Sequence, residues 1–418
     1  MLKINSIERH EARYQRRKAT RMAKKEASAC GRKFEEVITF ENMVRAGHNC
    51  CSGCRWKTST LNFEHNLLSE CLTVQKAVEN NDYNFRGFYG FTTFEHGKKR
   101  EINSLHIQDR TLQKCLCENL LTEAYSRSFI YDNSSSLPGK GMHFALKRIK
   151  KHLRDHYLKF GLEGGIYQYD FSSYFNSLPH AGIKERGRKI ILDDRLYALF
   201  CNLVDEFTVM KGASGAPYGV GLGSEVSQAI ALDYASPIDH YFKDFLGVKG
   251  YGRYMDDGYI ISNDINALKQ FDADLHKLAE QLGIKMNAKK CVITPFKSHS
   301  FTFLKMRFTL TKTGKIVMKL SRRSIKTMRR KIKAFRKWVG SKRMSFADAL
   351  QSYQAWRAYA CIGNSFRTLQ NMDAYFIRMF KAELETYKKG FKCTLGFFNS
   401  SGEWKYYLRN GGCMIWNT

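Results

Sequence analysis

Proline is scarce, at five in 418 residues, and no stretch of 18 or more apolar residues occurs. The first shortage speaks against a proline-rich disordered chain, and 43% apolar with 13% aromatic residues is the composition of a folded protein. The second leaves no candidate for a membrane-spanning helix, so no membrane partner is expected. The opening residues, MLKINSIERHEARYQRRK, contain no apolar export segment. A cytoplasmic location is expected on these grounds, with the twelve cysteines mostly reduced and in the core. No internal repeat or low-complexity linker divides the chain. Acidic residues are also short, 39 against 69 Lys and Arg, which leaves a net charge of +30. An excess of that size calls for a partner with many negative charges, usually a phosphate backbone. A ribosomal-type or other basic RNA-binding protein is the plainer alternative on charge alone.

Residues 1–35 form a basic extension with Arg9, Arg13, Arg16, Arg17, Lys18, Arg21, Lys24 and Lys25. The spacing predicts a helix with one positive face, lying on RNA or facing water. Residues 36–165 mix helical and extended patterns. Gly87 to Phe94 reads as a strand, His96-Gly97 as a turn and Lys98 to Ile102 as a second strand, giving a basic hairpin. Leu112, Leu116 and Leu120 recur at helical spacing between Asp109 and Leu121, and Gly139-Lys140-Gly141 precedes a basic helix reaching about Tyr157. Residues 166–316 alternate short strands with helices, the α+β pattern of a sheet covered by helices. From residue 317 to 418 the chain is helical and basic. Residues 322–337 hold nine Lys or Arg, while Ile325, Met328, Ile332 and Phe335 recur as an apolar stripe. That helix could lie along a nucleic-acid backbone or simply meet solvent.

The chemistry rests on three aspartates. An apolar extended run, Ile166 to Tyr169, delivers Asp170 at its end. Some 80 residues later, Tyr254-Met255-Asp256-Asp257 interrupts another apolar run, with Gly258 suited to the tight turn of a hairpin. Adjacent carboxylates there oppose each other's ionisation unless a cation lies between them. Joining a nucleotide to a strand supplies the reason for one. Two divalent ions about 3.5–4 Å apart can activate a 3′-hydroxyl and steady departing pyrophosphate. Carboxylates and a triphosphate make a hard-oxygen site suited to Mg²⁺, two ions, with Mn²⁺ as an alternative.

In this order, these residues resemble reverse transcriptases of the bacterial retroelement and retron-like class, over roughly residues 95 to 310. The resemblance implies a right-hand polymerase: fingers in 36–165, an antiparallel-sheet palm in 166–316 and a helical thumb with a C-terminal tail in 317–418. It implies RNA-directed DNA synthesis from dNTPs on an RNA template, extending a DNA or RNA primer. Asp170, Asp256 and Asp257 would hold the metals, together with the backbone carbonyl of Phe171. Phe175 resembles the aromatic beneath the incoming sugar, which favours deoxynucleotides; a core aromatic is its plainer reading. Gly219 to Gln228, GVGLGSEVSQ, resembles the loop that cradles the template–nucleotide pair, through Gly223, Ser224 and Gln228, with Ser224 or Ser227 as helix cap. Lys290 resembles the lysine near departing pyrophosphate, and its alternative is a surface lysine. Arg100 and Arg110 are candidates for the triphosphate, as is Lys140; the alternative for Arg110 is a pair with a carboxylate. Tyr254 and Met255, the hairpin Phe303-Leu304-Lys305, and Arg322, Arg323, Lys326, Arg329 and Arg330 are candidates for primer and template.

Two departures stand out. Relatives often have glycine where Lys305 stands, and many have Pro-Gln where this chain has Gly221-Leu222. The apolar Leu222 resembles the diversity-generating branch, which copies with low fidelity. A retroelement or antiviral-defence setting, a dedicated structured RNA and an accessory protein are all consistent with the resemblance. No room is expected for a separate RNase H, integrase or protease domain. The Cys50, Cys51 and Cys54 cluster lacks a second clean ligand pair for zinc, and Gly139-Lys140-Gly141 lacks the spacing of a phosphate loop. Competing readings are an RNA-dependent RNA polymerase and a non-catalytic RNA-binding scaffold.

Overall fold

Strand β3 (Gly165–Asp170) is buried at every position except Gln168, which is half-buried. A strand so covered must have sheet on both sides and helices over its faces. It does: a four-stranded antiparallel sheet runs in the order β6 (Gly250–Tyr254), β7 (Asp257–Ser262), β3, β8 (Val292–Pro295). The helix Met142–Phe160 turns Ala145, Leu146, Ile149 and Leu153 inward, and the helix Ile265–Gln281 does the same with Leu268, Leu275 and Ala279. The computed structural model describes residues 6–95, 98–207, 210–211, 215–221, 223–297 and 299–390, and short strands at 397–398, 404–407 and 413–414. The turn at His96-Gly97, Leu222 and the side chains of Arg9, Lys98, Lys99 and Arg100 lie outside the described residues.

The fold is mixed α+β with antiparallel sheets. The basic N-terminal run forms the helix Ser6–Glu26. Strands β1 (Phe88–Glu95) and β2 (Lys98–Leu105) pair antiparallel, as the hairpin pattern predicts. The helix Ile107–Leu116 follows and continues as a wider π turn through Cys117–Leu121. A two-residue pair, β4 (Met210–Lys211) with β5 (Pro217–Tyr218), precedes the helix Glu225–Tyr234. Cys30, Cys50, Cys51, Cys71, Cys115 and Cys117 are buried. Among the described residues no helix is long and apolar enough to cross a membrane.

The chain divides into two compact units, one of residues 1–299 with 312–314, the other of 300–311 with 315–418. In the second, β9 (Phe301–Phe303), β10 (Met306–Leu310) and β11 (Ile316–Leu320) form an antiparallel sheet. The helix Arg322–Gly340 is capped by Ser321 and buries Met328, Ile332 and Phe335, while Arg322, Arg323, Lys326, Arg329 and Arg330 are exposed. Its stripe packs with Leu350, Tyr353 and Phe376, the last two rings stacked 4.4 Å apart.

Phe303 pairs with Met306, so Leu304 and Lys305 make a two-residue hairpin turn, both at positive φ (46° and 65°). Such turns need the left-handed region twice, which explains why glycine suits the second position. Phe303 itself is buried, Leu304 is half-buried and Lys305 is exposed. Lys305→Gly is expected to raise stability by about 1 kcal/mol, read from the denaturant midpoint. A midpoint lowered by the change would contradict the strain.

Candidate active site

The register of the central sheet brings the acids together. Asp170 at the end of β3 lies opposite Asp257 at the start of β7, and the Phe171 N–H donates to the Asp256 carbonyl at 3.1 Å. Tyr254 pairs with Asp257, which leaves Met255 and Asp256 as the turn. Met255 is therefore the residue at positive φ (55°), and its side chain is buried against the main core. Gly258 is not in the turn. It lies inside β7, where a Cβ would come 2.1 Å from Tyr169 Cζ, so glycine is required by the approach of that ring.

Lys290 Nζ is bonded to Asp170 Oδ1 and lies 3.8 Å from Asp257 Oδ1. The segment that carries it docks on the end of β3: Ser172 N–H donates to Lys285 O at 2.7 Å and Asn287 N–H to Asp170 O at 2.9 Å. The Asn287 side chain also donates to Asp170 Oδ2 at 2.8 Å. Asp170 thus has both carboxylate oxygens engaged. The Asp257 carboxyl is pushed up to about 7 by burial, by its hydrogen bond with Asp170 and by the charge of Asp256, which Lys290 only partly offsets. Burial opposes the charge on Lys290, but its bond to Asp170 and the surrounding aspartates raise its pKa above the ordinary value. The three carboxylates do not close into one cluster with all ligand oxygens within 4.8 Å. Among the described residues, Lys290 is the ammonium seen beside Asp170 and Asp257. This excess of hard oxygen donors over positive charge fits a divalent cation.

Beneath the turn lies a network the sequence does not reveal. Arg253 and Asp239 are both fully buried and paired two-pronged, Nε to Oδ1 at 2.7 Å and Nη2 to Oδ2 at 2.6 Å. Arg253 Nη1 also donates to Met255 O at 2.9 Å, and Nη2 to Leu232 O at 2.8 Å. Tyr251 donates to Asp239 Oδ1 at 2.7 Å and touches the Tyr169 hydroxyl at 2.8 Å. The strained turn is therefore held by a planar cation bonded on every side.

The edge of β6 is fixed by a second buried group. Arg253 N–H donates to Asp132 O, and Asp132 takes Arg148 Nε at 2.5 Å and Lys243 Nζ at 2.7 Å, with His152 Nε2 at 3.5 Å. Burial pushes His152 down to about 4, despite Asp132, with Lys243 and Arg148 adding to the shift; Asp155 lies nearby and Tyr259 bonds its Nδ1. The folded chain keeps His152 neutral while the unfolded chain takes up a proton near 6.5. Its contribution is complete above that pH and is lost as the pH falls through about 4. Stability is expected to drop by on the order of 3 kcal/mol over that window from this group, and the denaturant midpoint against pH measures it. The drop should be shallower in His152→Gln.

Other expected site residues are placed as follows. Phe175 is half-buried, and its carbonyl accepts from Val220 N–H at 2.9 Å, tying it to the glycine loop. Ser224 caps the helix Glu225–Tyr234 and bonds Gln113, while Ser227 bonds Val220 O instead. Gly223 (φ 131°) and Gln228 are exposed. Arg110 is exposed and makes no ion pair among the described residues; its guanidinium lies 3.9 Å from Cys54 Sγ. Lys140 does not extend outward, because its ammonium donates to Tyr131 O and Asn133 O, both at 2.9 Å.

The family described as reverse transcriptase (RNA-dependent DNA polymerase) matches residues 89–308, just over half of the chain. The chain belongs to that family. Nucleotidyl transfer is the chemistry the family shares. Solved structures similar to this chain include apo telomerase from Candida tropicalis (TM-score 0.43, 15% identity, covering 73% of this chain and 58% of that one). A form of that enzyme truncated from its C-terminal domain gives 0.43 and 14%, covering 56% and 55%. Telomerase from Candida albicans with a fragment of telomeric RNA gives 0.38 and 14%, covering 65% and 47%. The chain thus spans only about half the length of these proteins. None of the curated proteins matches it.

Proposed function

We propose that this chain is an RNA-directed DNA polymerase that adds dNTPs to a primer 3′-hydroxyl at Asp170, Asp256 and Asp257. The observation that carries this is the register of Asp170 against Asp257, with Asp256 on the intervening turn. These carboxylates, with the Phe171 carbonyl, would hold two Mg²⁺ ions, which when bound acidify the attacking hydroxyl and screen the departing pyrophosphate. Asn287 holds Asp170 in place. Lys290, released from Asp170, is the proton donor or charge clamp for pyrophosphate. Phe175 and the glycine loop with Gly223, Ser224 and Gln228 line the nucleotide, and Arg100 and Arg110 are candidates for its phosphates. Tyr254, Met255, the Phe303–Lys305 hairpin and the exposed cations of the Arg322–Gly340 helix serve primer and template.

The right-hand division into fingers, palm and thumb belongs to this proposal, as do an RNA partner, a cytoplasmic setting and a bacterial retroelement or antiviral-defence role. Leu222 supports a low-fidelity enzyme, which misincorporation on a defined template measures. Primer extension on RNA with either dNTPs or NTPs tests the assignment. DNA product from dNTPs alone is expected. Exclusive use of ribonucleotides would make the chain an RNA polymerase, and inactivity with both would leave an RNA-binding scaffold.

A further inference from the structure

Behind the sheet that carries Asp170, three side chains of different chemistry meet. Asp272 and His276 stand one turn apart on the helix Ile265–Gln281, hence on one face. Cys291 arrives from the segment just before β8. One ligand atom from each, a carboxylate oxygen, a ring nitrogen and the sulfur, lies within 4.8 Å of the others, and all three residues are half-buried. His276 Nε2 is 4.0 Å from Asp272 Oδ1. The His276 Nδ1 is shielded from solvent and has no hydrogen-bond partner. Tyr167 donates to Asp272 Oδ1 from β3 and orients that carboxylate.

We infer that Asp272, His276 and Cys291 form a transition-metal site, of the Zn²⁺ class, separate from Asp170, Asp256 and Asp257. The donor set decides the class. Sulfur and imidazole reject Mg²⁺ and select Zn²⁺ or Co²⁺. Metal–ligand lengths of about 2.0–2.3 Å require the three atoms to draw together by roughly 1 Å, which rotation of half-exposed side chains supplies. The Tyr167 hydroxyl has the place that outer hydrogen bonds take around metal ligands. A water or an exchangeable ligand completes the tetrahedron. Because Cys291 directly follows Lys290, an ion here fixes the main chain that carries the Lys290 ammonium to Asp170. The site does not depend on the polymerase assignment.

The test uses the full chain, stripped with a chelator and titrated with Co²⁺ alone. One equivalent should produce a thiolate-to-cobalt charge-transfer band with intense four-coordinate visible absorption. Stoichiometric Zn²⁺ should erase both, and a large excess of Mg²⁺ should not. Cys291→Ser should lose the charge-transfer band, and His276→Gln, altered on a half-exposed helix face, should weaken Co²⁺ binding at least tenfold. Asp257→Asn should bind as the unaltered chain does. No band in the unaltered chain overturns the inference, as does a band that survives Cys291→Ser. Loss of the band in Asp257→Asn, or its displacement by Mg²⁺, overturns it as well.

Discussion

Asp257→Asn is expected to abolish nucleotide incorporation while making the metal-free protein more stable. In that protein the Asp257 carboxyl sits beside Asp170 and Asp256, Lys290 offsets their charge in part, and the carboxyl holds its proton to about pH 7. The unfolded chain releases the same proton near the ordinary 3.8. Between these values the folded state binds more protons, so this group's contribution falls as the pH rises from about 4 to 7, and its full cost remains above that. An amide of the same shape removes the repulsion. The melting temperature of Asp257→Asn in chelator should therefore exceed that of the unaltered chain at pH 8, and the two should converge near pH 4. Added Mg²⁺ with nucleotide should reverse the order, because only the unaltered site recovers the binding energy. The catalytic loss should reach at least about 10³-fold, since metal-borne charge stabilisation amounts to several kcal/mol. A melting temperature lowered by the change at pH 8 in chelator would show that Asp257 is a structural carboxylate.

Asp239→Ala is expected to cost about 3–5 kcal/mol, the range for leaving a buried charge without its partner. Arg253 has no exposure to solvent, so its guanidinium would lose Asp239 and keep only the carbonyls of Met255 and Leu232. Replacing both partners, Arg253→Met with Asp239→Leu, should cost less than Asp239→Ala alone, because no orphaned charge remains. Chemical denaturation of the two variants beside the unaltered chain reads both effects. The double variant should still incorporate nucleotides poorly, because the Met255 carbonyl has lost its donor and the turn bearing Asp256 is no longer anchored. Equal costs for the single and the double change would contradict the pairing.

Local pattern is enough to place Asp170 at the end of a strand, and Asp256 and Asp257 at a turn between apolar runs. Strand register then does the rest. Arg253 was not legible, although it adjoins the turn. An arginine in a chain of net charge +30 looks like surface, and its burial depends on a carboxylate brought in by a different element. Asn287 lies 117 positions from Asp170, and only the docking of its segment on β3 brings them together. Gly258 was found for the wrong reason, since close approach of Tyr169 rather than turn geometry excludes a side chain. Lys140 is one of several cations among which the sequence could not choose a partner for template or triphosphate, and here two backbone carbonyls take its ammonium. The apolar stripe of the Arg322–Gly340 helix was fully legible, as periodic burial on one face needs no distant partner.

The most direct measurement is Mg²⁺-dependent primer extension on an RNA template with dNTPs, comparing the unaltered chain with Asp170→Asn and with Asp256→Asn plus Asp257→Asn. Circular dichroism would establish that each variant is folded. Extended DNA from the unaltered chain, and none from either folded variant, is the predicted result. Extension by the variants at the unaltered rate would contradict the account, because DNA synthesis would then take place without the carboxylates that β3 and β7 set face to face.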